Sequence, residues 1–361
     1  MNNGLSTLRY YAYVKIDNKL WVSNSAFNGL YTIDVNDYTV EYHGRFRSSS
    51  FGATDIHASA GRYNDILFFV PQTGDGVDFY NLNTGEFDSC QTSLWNDGLP
   101  GNTAAGYWRN GDDLFLIPKY SKHPLLKYSF DKKEINIVAE KSFKAINESL
   151  VSNQQVLTIG SAFFQDKIWF TIWGSNRIVS IDPYSDEWKD YIVNYPKRLQ
   201  TIFYTKDAFW IGAEDTLLKW DIADGIIGEY PGAFAEQKEA TNVITEVVAD
   251  QEYVYALPQK LGSILKIDVV NNCVSKKIDI TADDYNKVLS WRDLKGGYIL
   301  NDRLVLNPVG RDKEVIIDTN SEKMELRKHL VPDETIYARW KKVYLEGEIS
   351  LTNFIYNFVE Y

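Results

Sequence analysis

One short stretch of this chain places an acid and an imidazole at a spacing that suits proton transfer: Thr54-Asp55-Ile56-His57. On a strand, residues two apart point to the same side, so Asp55 would stand beside His57 and orient it as a general base. The plainer reading is a hydrogen-bonded histidine on an inner strand. His43, His123 and His329 have no spacing that builds a metal site, and the chain lacks HExxH, a Gly-rich phosphate loop and GxSxG. No metal and no cofactor are expected. With 49 acidic residues, a carboxylate pair remains the open route to acid–base chemistry.

A second set of residues suits recognition. Lys119, Tyr120, His123, Trp173, Arg177, Lys260 and Arg311 fall in short polar segments between apolar runs. Lys and Arg pair with carboxylate or phosphate there, and an exposed Trp or Tyr stacks on a ring or a peptide plane. Ordinary loop solvation is the competing reading. Trp95 lies in a longer segment, Leu94-Trp-Asn-Asp-Gly-Leu-Pro-Gly-Asn102, of the length at which lids and binding loops occur. It serves either as a ligand contact or as a plug between neighbouring elements.

The elements that must position these residues recur along the chain. Asp166-Lys-Ile-Trp-Phe-Thr171 is followed by Asn176-Arg-Ile-Val-Ser-Ile-Asp182, and this order occurs seven times in all, with the quoted unit as the fourth copy. The first copy has Asp17-Asn-Lys-Leu-Trp-Val-Ser23 with Gly29-Leu-Tyr-Thr-Ile-Asp34. The last has Asn301-Asp-Arg-Leu-Val-Leu306 with Glu314-Val-Ile-Ile-Asp318. Successive copies stand about 47 residues apart, the length of a propeller blade. The pattern predicts an all-β chain, a seven-bladed β-propeller of four-stranded antiparallel blades over residues 1–345. Trp21, Trp169 and Trp210 share one position of the second strand and are expected to pack between blades. Asp34, Asp182, Asp221, Asp268 and Asp318 end third strands and are expected to fix turns by accepting backbone N–H groups. Loops between second and third strands gather on one face of such a ring, which places Lys119, Trp173 and Arg311 together at the channel mouth. Ser350-Leu-Thr-Asn-Phe-Ile-Tyr-Asn-Phe-Val359 repeats apolar residues at helix spacing, so residues 346–361 are expected to form an amphipathic helix that caps the propeller or docks a partner.

The unit around Asp166–Asp182 resembles a blade of the streptogramin-lyase-type propellers. Ala208-Phe-Trp-Ile-Gly-Ala213 with Leu217-Leu-Lys-Trp-Asp221 is similar to repeats in two-component sensor ectodomains, of kelch- or WD-like length. The resemblance implies architecture over nearly the whole chain. The lyase family also implies a histidine, acidic residues and a magnesium ion near the channel, a set that finds no matching positions in this sequence.

Composition narrows the partners. A net charge of −11 argues against nucleic acid and against anionic membrane surfaces. Two cysteines, Cys90 and Cys273, form no CxxC, which argues against a disulfide framework. No apolar run reaches membrane-spanning length and the start is unlike a signal peptide, so a cytoplasmic location is expected and a sensor ectodomain is disfavoured. The expected function is binding or scaffolding: recognition of a protein, peptide or glycan, with carbohydrate binding among the options, through the loop face. The alternative is a lyase or hydrolase acting on a sugar or cyclic ester at the channel mouth.

Overall fold

Each apolar run of the repeat becomes the second strand of a four-stranded antiparallel sheet: Lys19–Asn24, Ile66–Pro71, Asp113–Pro118, Lys167–Thr171, Ala208–Ala213, Tyr253–Pro258 and Arg303–Pro308. The computed structural model describes residues 8–49, 53–95, 104–151, 156–214, 216–232, 244–258, 263–280, 294–308 and 313–329. In all seven sheets the strands follow one another in chain order. Consecutive hairpins build each sheet, so no long-range crossing is needed within a blade. The fold is a seven-bladed β-propeller. Its blades cover residues 10–44, 57–91, 104–138, 161–192, 199–231, 244–279 and 294–327.

The chain divides into two compact units. One holds Met1–Ala104, Asp312–Glu314 and Leu326–Tyr361; the other holds Ala105–Arg311 and Val315–Glu325. In the first unit, the first strands of blades 1 and 2 (Tyr10–Ile16 and His57–Tyr63) pack on each other. In the second, the first strands of blades 4 to 7 do the same in succession: Ser161–Phe164, Leu199–Thr205, Ile244–Ala249 and Leu294–Leu300. First strands are thus the innermost layer of each unit. Fourth strands are the outer edges. Glu187–Ile192 holds only exposed and half-buried residues, and its charged side chains blunt the free edge.

The cores lie between neighbouring blades. Trp169 of blade 4 packs with Phe209, Ile211 and Trp220 of blade 5, and Trp210 of blade 5 packs with Val247, Val254 and Ile267 of blade 6. Each indole donates to a carbonyl five residues back, Trp169 to Phe164 at 3.1 Å and Trp210 to Thr205 at 3.0 Å. Their polar edge is therefore satisfied in a dry setting. Trp21 plays the same part against Leu67 and Tyr80 in the first unit. The expectation that these tryptophans are inter-blade packing holds. Helix Glu140–Glu148 is a departure from the repeat. It wedges Phe143 and Ile146 into the apolar layer between blades 3 and 4, and Asp186 accepts its Lys141 and Ser142 amides at 3.1 and 2.9 Å.

The third-strand ends fix turns as expected. Carboxylates of Asp34, Asp182, Asp221, Asp268 and Asp318 each accept one or two amides two or three residues on. In blade 2 the amide oxygen of Asn81 substitutes, and in blade 3 the hydroxyl of Ser129. The Asn271 amide holds the Asp268 carboxyl below the usual range, and the Ser321 amide does the same for Asp318. A carboxyl with a lower pKa folded than unfolded adds stability above its unfolded value, and that stability is lost as pH falls through the folded one. Asp268→Asn and Asp318→Asn keep the turn acceptor but cannot titrate. They are expected to leave the urea midpoint at pH 7 unchanged and to flatten its decline between pH 5 and pH 2. An acid limb as steep as the parent's would contradict this.

Candidate functional site

The loops after the second strands are laced to the segments that lead into first strands. In the first unit, Ser25 N donates to Arg9 O, Asp55 N to Ser25 O and Gln72 N to Ile56 O, at 2.7 to 2.9 Å. In the second unit, Leu157 N donates to Lys119 O at 2.7 Å, and Trp173 N donates to Leu157 O at 2.8 Å. Leu199 N then donates to Ser175 O at 2.7 Å. One residue, Leu157, therefore pins the Lys119 loop of blade 3 to the Trp173 loop of blade 4. Backbone groups do the pinning, and the side chains of Lys119 and Trp173 are both half-buried.

The residues around that pair take different parts. Lys119 Nζ lies 5.7 Å from the Tyr120 ring centroid. His123 is buried and meets the Tyr120 ring edge-on at 5.7 Å, so it shapes the loop from beneath. Arg177 is committed: it donates to Asp190 at 2.7 and 2.9 Å and to Ser149 at the helix end at 3.0 Å. It ties helix Glu140–Glu148 to blade 4. Trp95 is buried in the short helix Ser93–Trp95. Lys260, Arg311 and residues 346–361 lie outside the described residues.

His57 is positioned differently from the sequence expectation. Asp55 does not share its strand: the first strand of blade 2 starts at His57, and Asp55 sits before it with φ 51°. The strand alternation that would pair the two side chains therefore does not extend to Asp55. The carboxylate on His57 belongs to Asp78, whose Oδ2 lies 3.0 Å from Nε2. Asp78 also accepts the Ser48 amide at 3.1 Å and the Ser48 hydroxyl. Nδ1 faces Ser23 Oγ at 2.7 Å. Serine, histidine and aspartate thus stand in a hydrogen-bonded line. However, Asp78 is 0 % exposed and His57 2 %, and Phe46 and Phe69 close over the imidazole at 4.5 and 5.3 Å. No substrate atom reaches Ser23 in this packing. The line joins blade 1 to blade 2 and holds the 46–49 segment, which Asn28 also clasps through Phe46 and Ser49.

A second buried carboxylate stands in the same unit. Glu314 accepts the Tyr10 hydroxyl, and its second carboxylate oxygen lies 2.7 Å from His329 Nε2. Leu8 N donates to His329 O at 2.9 Å, and Arg327 stacks over Tyr38 at 3.4 Å. Both carboxylates had a signal in the sequence. Asp78 stands between Val77 and Phe79 and Glu314 directly precedes Val315-Ile-Ile317, and an acid buried in such an apolar run requires a partner.

Among the described residues, no group of three or more His, Cys, Asp or Glu side chains converges as a metal site, and no helix is long and apolar enough to cross a membrane. The sequence matches no family model and no curated protein. Similar solved structures are many. The streptogramin B lyase structure is similar with TM-score 0.61 at 12% identity, over 89% of this chain and 94% of that one. The extracellular domain of the hybrid two-component system BT3049 from B. thetaiotaomicron gives 0.60 at 14% identity, over 87% of this chain. This chain spans 40% of that domain's length. The Cps50 (Swd1) β-propeller domain from Myceliophteria thermophila gives 0.55 at 9% identity, over 91% of this chain and 98% of that one. At such identities the likeness concerns the fold, and function must be argued from the site.

Proposed function

We propose that this chain is a binding or scaffolding propeller that recognises a protein, peptide or glycan through its loop face, with Lys119, Tyr120 and Trp173 at the centre of contact and Lys260 and Arg311 contributing to the same face. The observation that carries the reading is the Leu157 bridge. It ties the Lys119 loop and the Trp173 loop of two neighbouring blades to one residue through backbone bonds, which brings a cation-bearing loop beside an indole-bearing one. A cation beside aromatic rings is the composition of interface hot spots. The net charge of −11 supports partners other than nucleic acid or anionic membranes. The free cysteines Cys90 and Cys273 suit a reducing compartment, so the cytoplasm remains the proposed location.

The alternative, a lyase or hydrolase, draws on the Ser23–His57–Asp78 line. Its distances suit nucleophile activation, but its burial opposes that role, since a nucleophile must meet substrate. The test is affinity on loop variants. Trp173→Ala with Arg311→Ala is expected to weaken binding at least about tenfold, roughly 1.4 kcal/mol. Unchanged binding by that variant, or turnover of a sugar or cyclic ester by the purified chain, would overturn the reading.

A further inference from the structure

Two guanidinium groups in the first unit stand outside the fold's own ion pairing. Elsewhere Arg62 pairs with Asp65, Arg109 donates to Gly111 O, Arg177 holds Asp190 and Arg327 stacks on Tyr38. Arg45 and Arg47 are exposed, and among the described residues neither has a hydrogen-bond or ion-pair partner. The chain around them is acidic, with 49 Asp and Glu against 38 Lys and Arg. Both arginines lie in the connection between the fourth strand of blade 1, which ends at Gly44, and the first strand of blade 2, which begins at His57.

That connection is held from beneath. Exposed and buried residues alternate along it: Arg45 exposed, Phe46 buried, Arg47 exposed, Ser48 buried. The Phe46 ring packs against His57, Phe69 and Phe87 at 4.5, 4.8 and 5.7 Å. Asn28 is fully buried; it accepts the Phe46 amide at 2.8 Å and donates to Phe46 O at 2.9 Å and Ser49 O at 2.7 Å. Asp78, also fully buried, accepts the Ser48 amide at 3.1 Å and the Ser48 hydroxyl. The blade 2 loop closes against the same segment. A Cβ on Gly74 would stand 3.3 Å from Ser49 Oγ and 3.5 Å from Ser48 Oγ, so glycine permits the approach.

Linking two blades does not require such a clasp. Between blades 4 and 5 backbone bonds hold the connection, Val193 N to Asn176 O at 2.9 Å and Leu199 N to Ser175 O at 2.7 Å. Burying a carboxylate and a carboxamide to fix residues 45–49 carries a desolvation cost that backbone bonds avoid. What the clasp adds is position. It sets Arg45 and Arg47 on a fixed base, with two residues of chain spanning at most about 7 Å. Groups fixed before binding leave less ordering to be done on binding.

Charge selects the ligand. A guanidinium pairs bidentately with carboxylate or phosphate. A phosphate monoester carries about −1.5 to −2 charges at neutral pH and three acceptor oxygens, so one such group can engage both arginines. A single carboxylate neutralises one of them. In a chain of net charge −11, the anion that gains from both cations at once is the one best able to offset the long-range repulsion. We propose that Arg45 and Arg47 form a binding site for the phosphoryl group of free phosphate or of a small phosphate monoester, with Asn28 and Asp78 as positioning residues. The proposal is independent of the Lys119 and Trp173 reading.

Calorimetric titration of the full chain with inorganic phosphate in one arm and glycerol 3-phosphate in the other separates the two sources, and succinate is the carboxylate control. Saturable binding of at least one phosphate probe is expected, at least about tenfold tighter than succinate. Arg45→Ala with Arg47→Ala should weaken it at least about tenfold at an unchanged thermal midpoint, since both side chains are exposed and unpaired. Arg45→Lys with Arg47→Lys keeps the charge but loses the planar fork, and should weaken it at least about threefold. Asn28→Ala should weaken binding in the parent but not in the Arg45→Ala, Arg47→Ala background, a coupling that lost stability alone does not produce. Lys119→Ala with Trp173→Ala should leave phosphate binding unchanged, so the failure of either reading shows without the other. Four results would overturn the proposal: neither phosphate probe bound, succinate bound as tightly as phosphate, binding indifferent to the loss of both arginines, or equal loss from Asn28→Ala in both backgrounds.

Discussion

Asp78→Ala is expected to lower the unfolding free energy by about 3–5 kcal/mol, the largest effect of any single substitution considered. The alanine strips the carboxylate from Nε2 of a buried histidine and from both the amide and hydroxyl of Ser48. The imidazole cannot turn to water, because Phe46 and Phe69 cover it. Asp78→Asn keeps the shape and one acceptor oxygen, so its cost should be smaller. Urea unfolding at pH 7 measures both. A loss under about 1 kcal/mol for the alanine variant would show that the Ser23–His57–Asp78 line does not hold blades 1 and 2 together.

Glu314→Ala follows at about 3 kcal/mol by the same reasoning. It leaves the Tyr10 hydroxyl and His329 buried without their shared acid. The effect should also be local. His329 carries the carbonyl that accepts the Leu8 amide, so loosening it should speed exchange at Leu8 more than at Leu20 in the neighbouring strand. Hydrogen exchange resolves the two amides. Equal acceleration at both would mean that Glu314 acts on the whole unit and does not pin the 326–329 segment.

The fold was legible because its signals are local and repeated. An aromatic residue inside an apolar second strand in six copies, and an Asp closing the third strand in five, report blade geometry along the chain, and Asn81 and Ser129 replace that Asp with side chains that accept the equivalent amides. The site was legible only in part. Lys119 and Trp173 could be aligned because they follow the same strand of successive repeats, but Leu157, which joins them, lies in a connection outside the repeat and acts through its backbone. Side-chain type carries no trace of that. Arg177 reads as an anion clamp by type, yet its guanidinium is spent on Asp190 and Ser149, a pairing set by the helix that the repeat does not contain. Asp55 is named as the partner of His57 in the sequence reading because it is near in sequence. The strand begins too late for that alternation to apply, and the third strand of the same blade supplies the acid.

The central claim is that recognition occurs at the loop face while the buried histidine line serves the fold. Affinity of three proteins for an array of acidic peptides and glycans tests it most directly: the parent chain, Lys119→Ala with Trp173→Ala, and Asp78→Asn. The predicted result is at least about a tenfold loss for the loop variant at an unchanged urea midpoint, and parental affinity for Asp78→Asn despite its lower midpoint. Parental affinity in the loop variant, or affinity lost in folded Asp78→Asn alone, would contradict the account.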